Sequence, residues 1–252
     1  MKLLLKRSPL ALAVVLMVAL TGCATTGGRD DGDPLEGFNR AVFGFNETLD
    51  RYVLEPVSKG YVRITPEPIQ TMIFNFVENL FYLNVVLNDL LQGKFRQAGE
   101  DVGRFITNST FGVAGFVDIA TPLGMPANDE DCGQTLAVWG APEGAYIVLP
   151  VLGPFTVRDL PDIGCILLTN LVGVVFDSPW NWGMVGLTLV DTRARLQPAV
   201  ELARDAVDPY LFTREAFRQR RQYLIYDGDP PLEDFDDFDD FDDVDETQGP
   251  PG

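Results

Sequence analysis

Pro68-Ile69-Gln70-Thr71-Met72-Ile73-Phe74-Asn75-Phe76-Val77-Glu78-Asn79-Leu80-Phe81-Tyr82-Leu83-Asn84-Val85-Val86-Leu87-Asn88-Asp89-Leu90-Leu91 is the stretch that decides the fold. Thr65-Pro66-Glu67-Pro68 breaks the chain before it and Gln92-Gly93 ends it, so the pattern predicts one long helix over 68–91. Fifteen of its 24 residues are apolar, more than one buried face requires. Such a helix is either wholly buried or in contact with lipid. At 100° per residue, Asn75, Glu78, Asn79, Tyr82 and Asp89 fall within an arc of about 100°, while Asn84 and Asn88 lie outside it. Two readings follow. The stripe lines a wet, polar passage and the other faces meet acyl chains, since ionisable groups at membrane depth tend to face water-filled cavities. Alternatively this is a core helix whose Asn and Glu cap neighbouring segments.

Working toward the N-terminus, Asp33-Pro34 is a good N-cap followed by a residue suited to the first helical turn. Leu35, Phe38, Val42, Phe45 and Leu49 recur at spacings of three and four, which predicts an amphipathic helix to about Val53. A second piece is expected around Val57–Ile64. Residues 24–33 form a polar linker of at most about 33–36 Å when stretched. Before it stand Lys2, Lys6 and Arg7, an apolar run from Leu10 to Leu20, and Leu20-Thr21-Gly22-Cys23. A basic head, a short apolar middle and a small-residue exit make a secretory signal. Its last four residues look like a bacterial lipobox, with Cys23 as the lipidated residue. Ala24 favours sorting to an outer membrane, by resemblance to Gram-negative lipoproteins.

Toward the C-terminus, Lys94–Asn108 reads as a helix and residues 121–135 as a loop. The acidic Asn128-Asp129-Glu130-Asp131 at its centre lacks the spacing of a calcium loop and reads as a solvated turn. Ile147-Val148-Leu149 is a short strand or a buried extended segment. Ile163–Phe176 carries no charge and is too short to span a bilayer. It is a re-entrant or interfacial segment, with Trp180 and Trp182 as an aromatic belt, or a buried core helix. Trp182–Thr192, Arg193–Val207 and Pro209 to about Tyr226 read as helices. Arg214, Arg218, Arg220 and Arg221 give the last one a basic side, expected to be solvated.

The 252-residue chain has a net charge of −18, and residues 227–252 hold twelve acids and no base. A body of that sign is unsuited to nucleic acid. The acidic tail, with Asp-Phe-Asp three times, is expected to be disordered. The chain has no histidine, which excludes Ser-His-Asp and Cys-His nucleophile pairs and histidine metal sites. Neither a phosphate-binding loop nor Cys-x-x-Cys occurs. Cys132 and Cys165 either pair in an oxidising compartment or stay as two buried thiols.

Ordered blocks along residues 33–226 carry a resemblance. They include Asp33-Pro34-Leu35-Glu36-Gly37-Phe38-Asn39-Arg40, Phe45-Asn46, Asn75-Phe76, Asn79-Leu80 and Leu91-Gln92-Gly93. Arg104-Phe105-Ile106-Thr107-Asn108-Ser109-Thr110, Gly115-Phe116-Val117-Asp118-Ile119-Ala120 and Gly133-Gln134-Thr135-Leu136 continue the series, and Asp208-Pro209-Tyr210 and Arg214-Glu215-Ala216 close it. The chain resembles the MlaA (VacJ) lipoproteins. The resemblance implies a mostly α, single ring-like helical body embedded in one membrane leaflet, with amphipathic and interfacial helices. It implies intermembrane phospholipid transport from the outer leaflet of the outer membrane through a polar channel. A trimeric outer-membrane porin and a periplasmic lipid-binding carrier protein are the implied partners. No covalent chemistry, cofactor or metal is implied. Cys132, Cys165 and the Asp-Phe-Asp tail are outside the family pattern. The expected organisation is a signal peptide over 1–22, an anchor and linker over 23–33, a helical body over 34–226 and the acidic tail over 227–252. Asn75, Glu78, Asn79, Tyr82 and Asp89 are the candidate channel lining. Two other readings stand beside this one: an anchored envelope scaffold without transport activity, and a two-carboxylate cell-wall hydrolase.

Overall fold

The computed structural model describes residues 33–169, 171, 172 and 180–231. The signal segment, Cys23 and nearly all of its linker, the tail from residue 232 onward and the second half of the uncharged 163–176 run lie outside the described residues. The rest is mostly helical. Helix α1 spans Glu36–Leu49, a π-helical turn follows at Asp50–Leu54, and α2 spans Glu55–Ile64. Helix α3 runs over Glu67–Gln92 and α4 over Phe95–Thr110. After a 3₁₀ turn at Thr121–Leu123 comes the short α5, Cys132–Val138. Strands β1 (Tyr146–Leu149) and β2 (Gly153–Thr156) form an antiparallel hairpin in which Tyr146 faces Thr156. Then follow α6 (Leu160–Thr169), α7 (Trp180–Arg195), α8 (Gln197–Asp205) and α9 (Pro209–Ile225).

The two N-terminal pieces expected from the sequence are one continuous helix. Pro56 has no N–H to donate, and its ring crowds the carbonyl four residues back. The π turn solves this by widening: the Glu55 N–H bonds to the Asp50 carbonyl, five residues back. The same turn brings Asp50 and Glu55 to Arg204, at 2.9 and 2.6 Å, and Asp50 also takes a two-pronged bond from the buried Arg193. A second correction concerns residues 121–135, where α5 begins at Cys132. Asp131 caps it by accepting the Gln134 N–H at 2.8 Å, and the Gln134 amide reaches back to the Asp129 carbonyl. Asp131 is thus a side-chain N-cap, a signal present in the sequence.

Helix α3 is the axis of the packing, with α4, α5, α6 and α7 all against it. Gly93 ends it in the left-handed conformation (φ 78°), and its N–H and that of Lys94 close the last turn. After α4 the chain turns sharply through Val113, Ala114 and Gly115, all at positive φ. At Gly115 a side chain has no room: a Cβ would lie 2.6 Å from that of Asn79.

Polar and apolar residues are distributed the reverse of the usual way. Among the described residues nineteen polar or charged side chains are buried, against eleven hydrophobic ones. The apolar core is small: Tyr146, Val148 and Tyr210, with Phe43 and Phe217 edge-on against the two tyrosine rings. Large apolar side chains lie outside instead, with Leu168 87% and Trp180 73% exposed, and α6 has no buried residue. The first half of the 163–176 run is therefore no buried core helix. No described helix is long and apolar enough to cross a membrane.

Hydrogen bonds do much of the assembly. Asn39 and Asn46 sit two turns apart on α1, on one face. Asn39 donates to the Tyr146 carbonyl at 3.0 Å and accepts from the Val148 N–H at 2.9 Å. Asn46 donates to the Leu149 carbonyl and accepts from the Val151 N–H. Each amide stands in for a neighbouring strand along the free edge of β1. Asn39→Ala would leave two buried backbone groups unpaired and is expected to cost about 1–3 kcal/mol. Asn46→Ala should cost less, because that site is only half-buried. Thermal unfolding of the two detergent-solubilised variants checks the order.

Candidate functional site

A cavity of about 510 Å3 opens beside α3. One wall is the α3 face that carries Phe74, Val77, Glu78, Phe81, Tyr82, Asn84 and Val85. The loop from Ala127 to Asp131 forms the second wall. Asp162 and Ile166 of α6, and Thr188, Asp191 and Thr192 of α7, complete it. Six acidic residues thus line one space: Glu78, Asp129, Glu130, Asp131, Asp162 and Asp191.

Of the five stripe residues on α3, the structure brings Glu78 and Tyr82 to this cavity and directs the other three elsewhere. Asn75 points to the Phe116 carbonyl at 3.5 Å, and Asn79 donates to Ser109 Oγ at 2.9 Å. Asp89 is fully buried, close enough to Asp101 of α4 to interact with it. These three join α3 to α4 and the turn after it, the part that Asn and Asp play in a capped core helix. Asn84, which the helical arc left out, does line the cavity.

The loop over 128–131 is not a solvated turn. Asn128 donates through its amide to both Asp101 oxygens, and its N–H bonds to the Tyr82 hydroxyl, which in turn donates to Asp101 at 2.7 Å. Glu130 is buried and accepts from Lys94, Gln92 and Gln97. Asp131 holds Arg221 of α9 through two bonds, and Arg221 also donates to Asp159 at 2.7 Å. The expected solvated basic side of α9 is accordingly turned inward: Arg214 and Arg221 are buried, and Arg220 remains at the surface, paired with Asp129. Gly133 makes room for this, since a Cβ there would lie 2.3 Å from Asp159 Oδ1. Cys132 and Cys165 are joined by a disulfide that ties α5 to α6, next to Asp131 and Ile166 of the cavity wall. Among the described residues no group of acids converges to hold a metal ion.

The site's electrostatics follow from these contacts. Burial works to raise the Asp131 carboxyl, but Arg221 outweighs it and holds the group below the usual carboxylate range. Glu78 and Asp162 have no such cation. Glu78 is open to the cavity yet surrounded by protein, and that burial, with Asp129 nearby, raises its pKa. Burial and Asp131 push Asp162 up to about 6. Burial, then the neighbouring Asp101 carboxylate, raises Asp89 well above the carboxylate range, and no donor reaches its oxygens. Asp101 itself accepts from Tyr82 and Asn128 on the cavity side.

A carboxyl whose pKa is raised by folding binds its proton more tightly in the folded state. Its contribution to stability is complete below the unfolded value of 3.8 and declines as pH rises toward the folded one. Asp89→Asn keeps a donor toward Asp101 without an ionisation. It should flatten the loss of stability above about pH 4 and change stability by less than ~1 kcal/mol at acid pH, read as melting temperature against pH. Removing the disulfide by Cys132→Ser with Cys165→Ser should cost about 3–4 kcal/mol for a loop of this length, seen as a lower melting temperature.

The chain has known relatives. A family model described as MlaA lipoprotein matches residues 31–224. The intermembrane phospholipid transport system lipoprotein MlaA of Haemophilus influenzae is 33% identical over 243 residues, covering 89% of this chain and 93% of that protein. Its counterpart in Escherichia coli is 35% identical over 233 residues, covering 89% and 90%. A solved structure, described as the structural basis for maintenance of bacterial outer membrane lipid asymmetry, superimposes with a TM-score of 0.69 at 32% identity. It covers 77% of this chain and 99% of its own. The chain belongs to the MlaA lipoprotein family.

Proposed function

We propose that this chain is the outer-membrane lipoprotein of an intermembrane phospholipid transport system. Anchored through Cys23 in the inner leaflet of the outer membrane, it takes mislocalised phospholipid from the outer leaflet and passes it to a periplasmic carrier. A trimeric porin is its partner in the membrane. The system comes from the relatives' names, and the porin and carrier from the family resemblance.

One observation supports the reading above the others: a carboxylate-lined cavity of about 510 Å3 inside a body whose exterior is rich in apolar side chains. A phospholipid crossing a leaflet needs a wet path for its headgroup and an apolar surface for its tails. Glu78, Tyr82, Asn84 and the 127–131 loop provide polar groups on the path, while Phe74, Phe81, Val85 and Ile166 provide apolar ones. Asn79 and Asp89 act behind the wall by keeping α3 on α4. On this reading the exposed Leu167, Leu168, Trp180 and Trp182 enter the leaflet from the outside, and their exposure supports it. A recruiting scaffold has no use for such a cavity, and a hydrolase would have to work on the lipid side of it.

Filling the cavity tests this. Val85→Trp and Thr188→Trp add bulk from facing walls without adding charge. In cells lacking the native chain, the double variant should reach the membrane at normal levels yet leave phospholipid in the outer leaflet. Full restoration of asymmetry by that variant would rule the cavity out as the lipid path.

A further inference from the structure

We infer that the cavity selects phospholipids whose headgroup carries a positively charged amine, the phosphatidylethanolamine class, over phospholipids whose headgroup is only anionic. The inference rests on the proposed function above and adds a choice among its cargoes.

The first ground is the sign of the charges that line the cavity. Six acidic residues line the cavity, and among the described residues no Lys or Arg does. Four of the six have cations, but these approach from outside the lining: Arg220 to Asp129, Lys94 to Glu130, Arg221 to Asp131 and Arg195 to Asp191. Arg195 is further occupied by the Phe74 ring, 4.0 Å from its guanidinium, and by the Gln70 carbonyl. Of these four acids Asp129 is the most open, while the Glu130 and Asp191 carboxylates are buried and bonded on both oxygens. A phosphate inside meets acidic residues first, and no described Lys or Arg lines the cavity to hold it.

The second ground is that two of these acids form no ion pair among the described residues: Arg104 and Arg195 act on Glu78, and Arg221 on Asp162, only as more distant charges. Glu78 makes no ion pair or hydrogen bond among the described residues, although it is open to the cavity. Asp162 accepts only neutral donors, the Cys132 N–H at 3.3 Å and the Asn84 side chain. Glu78 comes from α3 and Asp162 from α6, so they approach from different walls. A mobile ammonium placed between them would be the close counter-ion that neither receives from the described residues.

The third ground is the shape of the surroundings, which separates this from a mere cluster of acids. Phe74, Val77, Phe81, Val85 and Ile166 share the space with the carboxylates. The cavity is therefore two-faced, and its volume lies within the range of about 300–1,000 Å3 that takes a small organic group. A zwitterionic lipid meets both faces: the amine at the acids, the glycerol and first methylenes at the rings. An anionic headgroup meets the same apolar face but only repulsion at the other, and repulsion is an efficient source of specificity.

The test uses the full lipidated chain in vesicles of equal phosphatidylethanolamine and phosphatidylglycerol. A photo-reactive residue at Val85 reports from inside the cavity and one at Leu168 from the exposed surface of α6. Phosphatidylethanolamine should outnumber phosphatidylglycerol by about tenfold on Val85, equivalent to ~1.4 kcal/mol, and match the bulk ratio on Leu168. Glu78→Gln, which disturbs no partner, should lower the Val85 ratio, and adding Asp162→Asn should bring it near one. Equal labelling on Val85, or a ratio unchanged by both substitutions, would overturn the selectivity and leave the transport reading standing. Labelling on Leu168 with no lipid on Val85 would overturn the cavity as a headgroup path, and with it both readings.

Discussion

A polar group that cannot reach water must be paired within the protein, and in this chain that constraint governs nearly everything. Among the described residues the exterior is rich in apolar side chains, and the interior holds more polar residues than apolar ones. Packing by apolar contact alone is limited to a small core around Tyr146, Val148 and Tyr210. Elsewhere the helices are joined through matched charges and amides. Arg221 binds α9 to Asp131 and to Asp159 after the hairpin. Arg193 and Arg204 bind α7 and α8 to the π turn. Asn39 and Asn46 bind α1 to the edge of β1. Such bonds are directional, so they fix relative positions more sharply than apolar contact does.

The cavity is a consequence of the same arrangement. Loop 127–131 is held from several sides, by Lys94 of the α3–α4 junction, Asp101 of α4 and Arg221 of α9. With the disulfide from Cys132 to Cys165 it forms a stiff wall opposite α3. The cations that satisfy the loop, Lys94, Arg220 and Arg221, are not among the residues that line the cavity, whereas the acids they pair with are. The negative lining and the stability of the wall therefore have one cause. Asp101, beside the buried Asp89, extends this network into α4 and accepts from Tyr82 on the cavity side.

Several elements were legible without coordinates. The excess of apolar residues over 68–91 marked α3, and the 163–176 run and paired tryptophans marked an exposed apolar flank that α6 and Trp180 display. Asp208-Pro209 marked the start of α9, where Asp208 accepts the Tyr210 and Leu211 N–H groups. The lining of the cavity was less legible. A helical arc reports which residues share a face, but not whether that face meets water or another helix. Asn79 and Asp89 share an arc with Glu78 and Tyr82, yet Asn79 bonds to Ser109 and Asp89 lies beside Asp101, while Glu78 and Tyr82 line the cavity. The run Asn128-Asp129-Glu130-Asp131 read as solvated because its counter-charges, Lys94, Arg220 and Arg221, are distant in the chain.

By itself, then, the amino-acid order determined the helices, their caps and their apolar excess, because these depend on residues three or four apart. It also carried the ordered blocks that place the chain in its family. Tertiary structure alone decided which polar residues face the cavity and which are enclosed by neighbours. That outcome depends on partners between about 10 and 150 positions away, such as Asn108 with Asp118 and Arg204 with Glu55. Pairing at such distances is set by how the helices pack, and no local periodicity encodes it.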